Sequence, residues 1–268
     1  MKPTNKVIVV TGAGSGMGRA LVLALLKRGA SVAAVDLNES TLKETVALAG
    51  ATGKVSTHVA NVSDHQAVEA LPAAVITAHG AVDGIINNAG IIQPFVRLND
   101  LPYDAIERVL NVNLYGVIYM TKAFLPHLLT RPEAHIVNVS SMGGFFPVPG
   151  QSLYGASKAG VKLLTEGLFS ELTATNVRVT VVFPGAIATN ISQNSGVTIR
   201  AAASAESSQS FPTTSAEDAA NIIIDGMERD LFQVYVGRDA KMMNLLYRLS
   251  PKRATRFMYG KMKGLLPG

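Results

Sequence analysis

Val7-Ile8-Val9-Val10-Thr11-Gly12-Ala13-Gly14-Ser15-Gly16-Met17-Gly18-Arg19 is the stretch on which the fold turns. A short, β-rich apolar run enters a turn with a glycine at every second position. From Met17 to Gly29 the apolar residues take helical spacing, and Gly29 suits the position just past a helix end. Strand, glycine turn and helix in that order make a phosphate-binding arrangement. The glycines allow a tight turn and close approach of a pyrophosphate, and the helix N-terminus offers free N–H groups and the positive end of its dipole. The frame G-x-G-x-x-G does not fit, because the sixth residue is Met17 counted from Gly12 and Arg19 counted from Gly14. The wider frame G-x-x-x-G-x-G does fit, on Gly12, Gly16 and Gly18.

Outward from this turn, short apolar runs alternate with longer amphipathic stretches. Strands are predicted at 6–11, 31–36, 54–60, 83–87, 135–140, 177–183 and 232–236, and helices at 17–29, 39–49, 64–79, 102–129, 152–174 and 215–229. Strict β/α alternation implies a parallel sheet with helices on both faces. Runs such as Val7–Val10 and Val179–Val182 are almost wholly apolar, as strands buried on both faces are. The expected fold is therefore α/β: a Rossmann-type, doubly wound parallel sheet of about seven strands, followed by a helical tail. Residues 1–240 form one nucleotide-binding and catalytic domain, and 241–268 are an extension rather than a separate domain. Residues 190–214, rich in Ala, Ser and Gln without clear period, read as a loop over the substrate.

The bulk numbers fit that picture. The 268 residues are 48 % hydrophobic and 16 % charged, which argues for a buried core and against disorder. Absence of cysteine excludes disulfides and thiolate metal sites, and the five histidines show no ligand spacing, so no metal is expected. No apolar run approaches the ~18–20 residues of a membrane helix, and a cytoplasmic location is expected. The formal charge of +5 is uneven: residues 240–268 hold seven basic residues and no acidic one, and without those seven the charge becomes −2. The basic balance thus belongs to the tail, and nucleic acid is not an expected partner of the domain.

Asp36 ends the second strand, 24 residues after Gly12. A carboxylate there can bond both hydroxyls of an adenosine ribose and repels a 2′-phosphate. Ser15 and Leu37, the positions that would receive that phosphate, are not basic, and Arg19 lies inside the helix; NAD is favoured over NADP. Further along, Tyr154 and Lys158 stand four apart on one helix face. A nearby ammonium favours phenolate and lowers the tyrosine pKa. Ser140 and Ser141 end the preceding strand, on the edge where open α/β sheets bind ligands. Asn87-Asn88-Ala89-Gly90 ends the fourth strand, and Asn111-Val112-Asn113 lies within the next helix, where asparagine is mildly unfavourable.

Taken in order and spacing over residues 5–190, these motifs resemble the short-chain dehydrogenase/reductase family: T-G-x-x-x-G-x-G at Thr11–Gly18, N-N-A-G at Asn87–Gly90, Asn113, Ser141, Y-G-A-S-K at Tyr154–Lys158 and Pro184-Gly185. The resemblance implies Tyr154 as general acid/base, Lys158 on the nicotinamide ribose, Ser141 on the substrate oxygen, and Asn113 holding a water of the proton relay. It implies cofactor contacts at Gly12, Ser15, Gly16, Met17, Gly18, Asp36, Leu37, Asn61, Val62, Asn88, Gly90, Tyr154, Lys158, Ile187 and Thr189, with Asn61 where the family often has Asp. It also implies a homodimer or homotetramer built on the helices 102–129 and 152–174. A non-catalytic nucleotide binder would not need all of Asn113, Ser141, Tyr154 and Lys158.

Gln93-Pro94-Phe95 and Phe145-Phe146-Pro147-Val148 follow strand ends and are candidates for pocket wall or core. Their apolar character, with no basic cluster, points to an apolar secondary alcohol or ketone as substrate. In the tail, Met242, Leu245, Leu246 and Leu249 have helical spacing, and Ser250-Pro251 reads as the start of a second helix carrying Ala254, Phe257, Met258 and Met262. This pattern suits a membrane-surface helix, a dimer arm, a flap over the cleft, or helices docked on their own domain.

Overall fold

The computed structural model describes residues 1–50, 54–197 and 213–266. Seven strands, β1 (Val7–Thr11), β2 (Ser31–Asp36), β3 (Val55–Val59), β4 (Gly84–Asn87), β5 (Ala134–Val139), β6 (Val177–Pro184) and β7 (Gln233–Val236), form one sheet. All pairings are parallel and the order is β3-β2-β1-β4-β5-β6-β7. The order reverses between β1 and β4, so the connections leaving those two strands diverge and open a crevice at their carboxyl ends.

Alternation along β1 shows how the sheet supports two cores. Ile8 and Val10 face a layer that includes Leu21, Val22 and Leu25 of α1 (Gly16–Lys27), Leu42 of α2 (Glu39–Ala49), and Ile223, Ile224 and Met227 of α8 (Ala216–Glu228). Val7 and Val9 face the other layer: Val68, Leu71 and Val75 of α3 (His65–His79), Phe124 and Leu128 of α5 (Gly116–Leu129), and Leu168 and Leu172 of α6 (Ser152–Leu172). With both faces covered, every residue of β1 is buried, which is why the strand reads as an unbroken apolar run.

The predicted helix 102–129 is divided. Residues Tyr103–Leu110 form α4, Asn111–Tyr115 wind as one π-helical turn, and α5 follows. An extra residue in a turn re-aims the side chains around it, and here the turn carries Asn113 into the interior, 0 % exposed, while Asn111 stays outside. Within the expected loop 190–214, Ile191–Asn194 form a short helix, α7, and Ile187 bridges Thr214; residues 198–212 lie outside the described residues. The tail folds as α9 (Arg238–Leu249) and α10 (Pro251–Met262). No helix among the described residues is long and apolar enough to cross a membrane.

One buried histidine makes stability depend on acid. His135 in β5 is fully buried, and burial, reinforced by the N-terminal ammonium and Arg178, lowers its pKa to about 3. Thr180 spends its hydroxyl proton on the Leu231 carbonyl, so it accepts from Nε2 of His135 and leaves Nδ1 without a partner. Protonation would bury an N–H with nothing to receive it. Because the folded pKa lies below the unfolded value of about 6.5, this contribution is complete above that value and is lost as pH falls toward 3. Urea unfolding at pH 7.5 and 5.0 is expected to differ by about 2 kcal/mol more in the natural chain than in His135→Leu. Equal pH dependence in the two proteins would remove the histidine as the cause.

Candidate active site

A cleft of about 520 Å³ runs along the carboxyl ends of the strands, from the glycine turn to the loop after β6. Every cofactor contact expected from the sequence lines it, as do Ser141, Tyr154 and Lys158; Asn113 sits beneath it. At one end, Gly12 adopts φ +68, a conformation that favours glycine. A Cβ on Gly18 would collide with the Gly12 carbonyl oxygen, so helix α1 packs on the turn only with glycine there. Ser15 caps α1 without a side-chain bond to its N–H groups, which leaves the donors of the first turn open to the cleft. Asn88 ties β4 to β1: its amide nitrogens reach Thr11 Oγ1 at 3.0 Å and Thr11 O at 2.9 Å.

Asp36 is anchored by two backbone N–H groups, from Gly14 to Oδ2 and from Asn38 to Oδ1, each at 2.9 Å. Arg19 turns away from the cleft. Its guanidinium binds the Gly14 carbonyl, Thr45 Oγ1 and, at 2.7 Å, Glu44. Asn61 accepts from Ser63 N and Oγ, and holds the turn that presents Val62 to the cleft.

At the other end, β5 and α6 bring the polar group together. Ser141 caps a 3₁₀ turn (Met142–Gly144) by accepting from Gly143 N at 3.0 Å, and its hydroxyl acts on the Tyr154 phenol, drawing that pKa down. Its neighbour Ser140 points inward and donates to the Lys158 carbonyl at 2.7 Å, so the two serines divide structural and site duties. Lys158 is buried and donates from Nζ to Val139 O at 2.9 Å. Burial brings its ammonium down to about 8 and pushes the Tyr154 phenol up, against the pull of the Ser141 hydroxyl. Asn113 accepts from Ile91 N and donates to Ile91 O, each at 2.9 Å, and donates to Ser157 Oγ at 3.1 Å. A Cβ on Gly90 would lie 3.2 Å from Lys158 Nζ and 3.3 Å from Asn113 Oδ1, so that glycine is where cleft, lysine and asparagine meet.

A family model described as short chain dehydrogenase matches residues 6–199. The chain belongs to the short-chain dehydrogenase/reductase family. It is 39 % identical over 256 residues to a Mycobacterium tuberculosis protein provisionally named oxidoreductase SadH, covering 91 % of each chain. It is also 39 % identical over 196 residues to the 3-oxoacyl-[acyl-carrier-protein] reductase FabG of Thermotoga maritima, covering 72 % of this chain and 78 % of that one. Among solved structures, a short chain dehydrogenase/reductase from Burkholderia phymatum in complex with NAD superposes with a TM-score of 0.86 at 27 % identity, covering 94 % of this chain and 96 % of that chain. A short chain dehydrogenase from Burkholderia cenocepacia in complex with NADP gives 0.80 at 26 %, covering 96 % and 99 %.

Three features of this oxidoreductase were not legible as site features in its sequence. Gln93, named only within a candidate wall, is fully buried and caps α6 from outside: its Oε1 accepts from Leu153 N at 2.8 Å and Tyr154 N at 2.9 Å, its Nε2 donates to Gly150 O, and its backbone O accepts from Gln151. Next, the α7 segment is pinned across the cleft. Asn194 donates to Ser15 Oγ at 2.8 Å, Ser195 Oγ accepts from Ile92 N, and Arg108 donates to Ser195 O. Last, the tail is docked beside the site. Phe146, fully buried, is core and not pocket wall, packed with Met243, Ala254 and Met258; Asp239 at the start of α9 accepts from Ala186 N in the loop after β6. These contacts join residues far apart in sequence, and no local pattern announces them.

Proposed function

We propose that this chain is an NAD-dependent dehydrogenase/reductase that interconverts an apolar secondary alcohol and its ketone. The observation that carries the reading is the meeting of the Ser141 hydroxyl, the Tyr154 phenol and the buried Lys158 ammonium at one end of a cleft whose other end is a helix N-terminus with free donors. The Gly12–Gly18 cradle, tolerant of no Cβ at Gly18, fits a pyrophosphate, and a cleft lined from that cradle to Tyr154 and Thr189 suits a dinucleotide. Bound there, a nicotinamide ring supplies the centre that accepts or gives the hydride.

The protein's part is position and proton transfer. Ser141 holds the substrate oxygen next to Tyr154. In alcohol oxidation Tyr154 takes the hydroxyl proton, and in ketone reduction it returns one to the carbonyl oxygen. Lys158, still largely cationic near neutral pH, favours phenolate and binds the nicotinamide ribose. Asn113, locked by Ile91 and Ser157, holds the relay water behind them.

Asp36 supports NAD. Its carboxylate stands where a 2′-phosphate would come, and Arg19, the nearest cation of the turn, is committed to Gly14 and Glu44. Lys158 is the only lysine or arginine in the described lining, and Ile91, Ile92, Ile187 and Ile191 wall the cleft, which suits an uncharged apolar substrate. The family reading also implies a homo-oligomer on α4–α5 and α6, where Tyr115, Leu163 and Phe169 stand exposed. Turnover of a panel of apolar secondary alcohols and ketones, with dissociation constants for both cofactors, tests the reading. NAD is expected to bind about 100-fold more tightly than NADP. Equal affinity, or a preference for NADP, would overturn the assignment of Asp36.

A further inference from the structure

The tail does not dock by the stripe its sequence displays. Around α9, Ala240, Met243 and Tyr247 face the domain, Met243 and Tyr247 packed in the cluster with Phe146 and Ala240 fully buried. Met242, Leu245, Leu246 and Leu249 occupy a separate arc of about 100° and face outward, Leu245 at 60 % and Leu249 at 75 % exposure. Four apolar side chains at i, i+3, i+4 and i+7 on a solvent face make an unpartnered surface, not scattered exposure.

The exposed charges of α9 and α10 are of one sign; the single carboxylate, Asp239, is buried against Ala186 N. Lys241 and Arg248 border the stripe along one side, and Arg238 stands at its N-terminal end. On α10, Ala254, Met258 and Met262 turn inward, so Lys252, Arg253 and Arg256 fall on the opposite, exposed face with Phe257 beside them. None of these six cations forms an ion pair with another described residue, and residues 240–266 contain no Asp or Glu.

We infer that α9 and α10 form a docking face for an anionic lipid surface, with the Met242–Leu249 stripe at the headgroup boundary and the lysines and arginines against lipid phosphates. An amphipathic helix lying in the interface plane has this arrangement of apolar arc and basic flank. A second copy of the chain fits the same face poorly: a two-fold contact would set each basic flank against its own equivalent, with no acidic residue to answer it. The inference stands on the tail alone and does not depend on the reaction assigned to the cleft.

Co-sedimentation of the full-length protein with vesicles tests it, using phosphatidylcholine alone and phosphatidylcholine mixed with phosphatidylglycerol. Binding to the anionic vesicles is expected to be at least about tenfold stronger than to neutral ones, and to fall about tenfold between low and high salt. Both L245S/L249S and K252E/R256E are expected to lose most of it while far-UV circular dichroism stays unchanged. The first removes apolar insertion and the second removes charge, so misfolding of one leaves the other as a test. Background-level binding to anionic vesicles overturns the inference, as does full binding by either folded variant. A mass in solution that drops on L245S/L249S, without any vesicle binding by the natural chain, would assign the face to a second copy instead.

Discussion

Replacing Tyr154 with phenylalanine is expected to lower kcat by about 10³-fold in both directions, while the dissociation constant for NAD changes by less than about threefold. The phenol oxygen is the group assigned to exchange a proton with the substrate oxygen; Ser141, which accepts from Gly143 N, keeps its own proton to hold that oxygen by a hydrogen bond, and Lys158 is held against Val139 O. The ring itself keeps its packing, because Gly143 leaves room for its edge at 3.3 Å from where a Cβ would stand. Steady-state rates with the best alcohol of the panel, alongside cofactor titration, would measure both quantities. Activity within tenfold of the natural chain would sink the assignment of Tyr154 as acid and base. Loss of NAD binding would show that the residue serves the cleft by its shape.

The second large effect is expected far from any reacting atom. Gln93→Leu should lower kcat by about 10²-fold with little change in NAD affinity, and reduce stability by about 3 kcal/mol or more. Helix α6 begins without a side-chain cap of its own, and Gln93 supplies the acceptor for two of its first N–H groups, one of them on Tyr154 itself. Leucine would leave the buried Gly150 carbonyl and those two part-buried donors without their partner. It would also free the turn that aims the phenol. Gln93→Glu separates the two consequences, since a protonated carboxyl can accept from the amides and donate to Gly150. That variant is expected to recover most of kcat while remaining less stable. If leucine and glutamate lower kcat equally, Gln93 acts through general stability and not through the placement of Tyr154. Unchanged kcat in both would end its role as a positioning residue.

How much of this was legible beforehand differs from element to element. The strands were read to within a residue or two, most directly where, as in β1, burial on both faces makes the apolar run continuous; β3, at the sheet edge, is part-exposed and carries Ser56, Thr57 and His58. The π-helical turn was not, since helix 102–129 reads as one periodicity running straight through the paired asparagines. Ser140 and Ser141 could not be assigned from adjacency alone; a strand points successive side chains to opposite faces, and the bonds to Lys158 O and Gly143 N separate them. By sequence Arg19 is set aside only for lying inside the helix, and its bonds to Gly14 and Glu44 give the physical reason it turns from the ribose.

The sequence by itself determined the family, the order of the elements and the residues gathered in the cleft. Those features rest on local periodicity, on glycines at fixed offsets and on side chains four apart in one helix, all of which act over a few residues. Tertiary structure alone decided that Gln93 caps α6, that α7 is pinned to the glycine turn, and that the tail docks through Met243 and Tyr247 while its more regular leucine stripe faces out. Two arcs of one helix can be equally apolar, and which is buried depends on what the rest of the chain presents to it. That complementarity is a property of surfaces brought together by folding, and no spacing along a single helix encodes it.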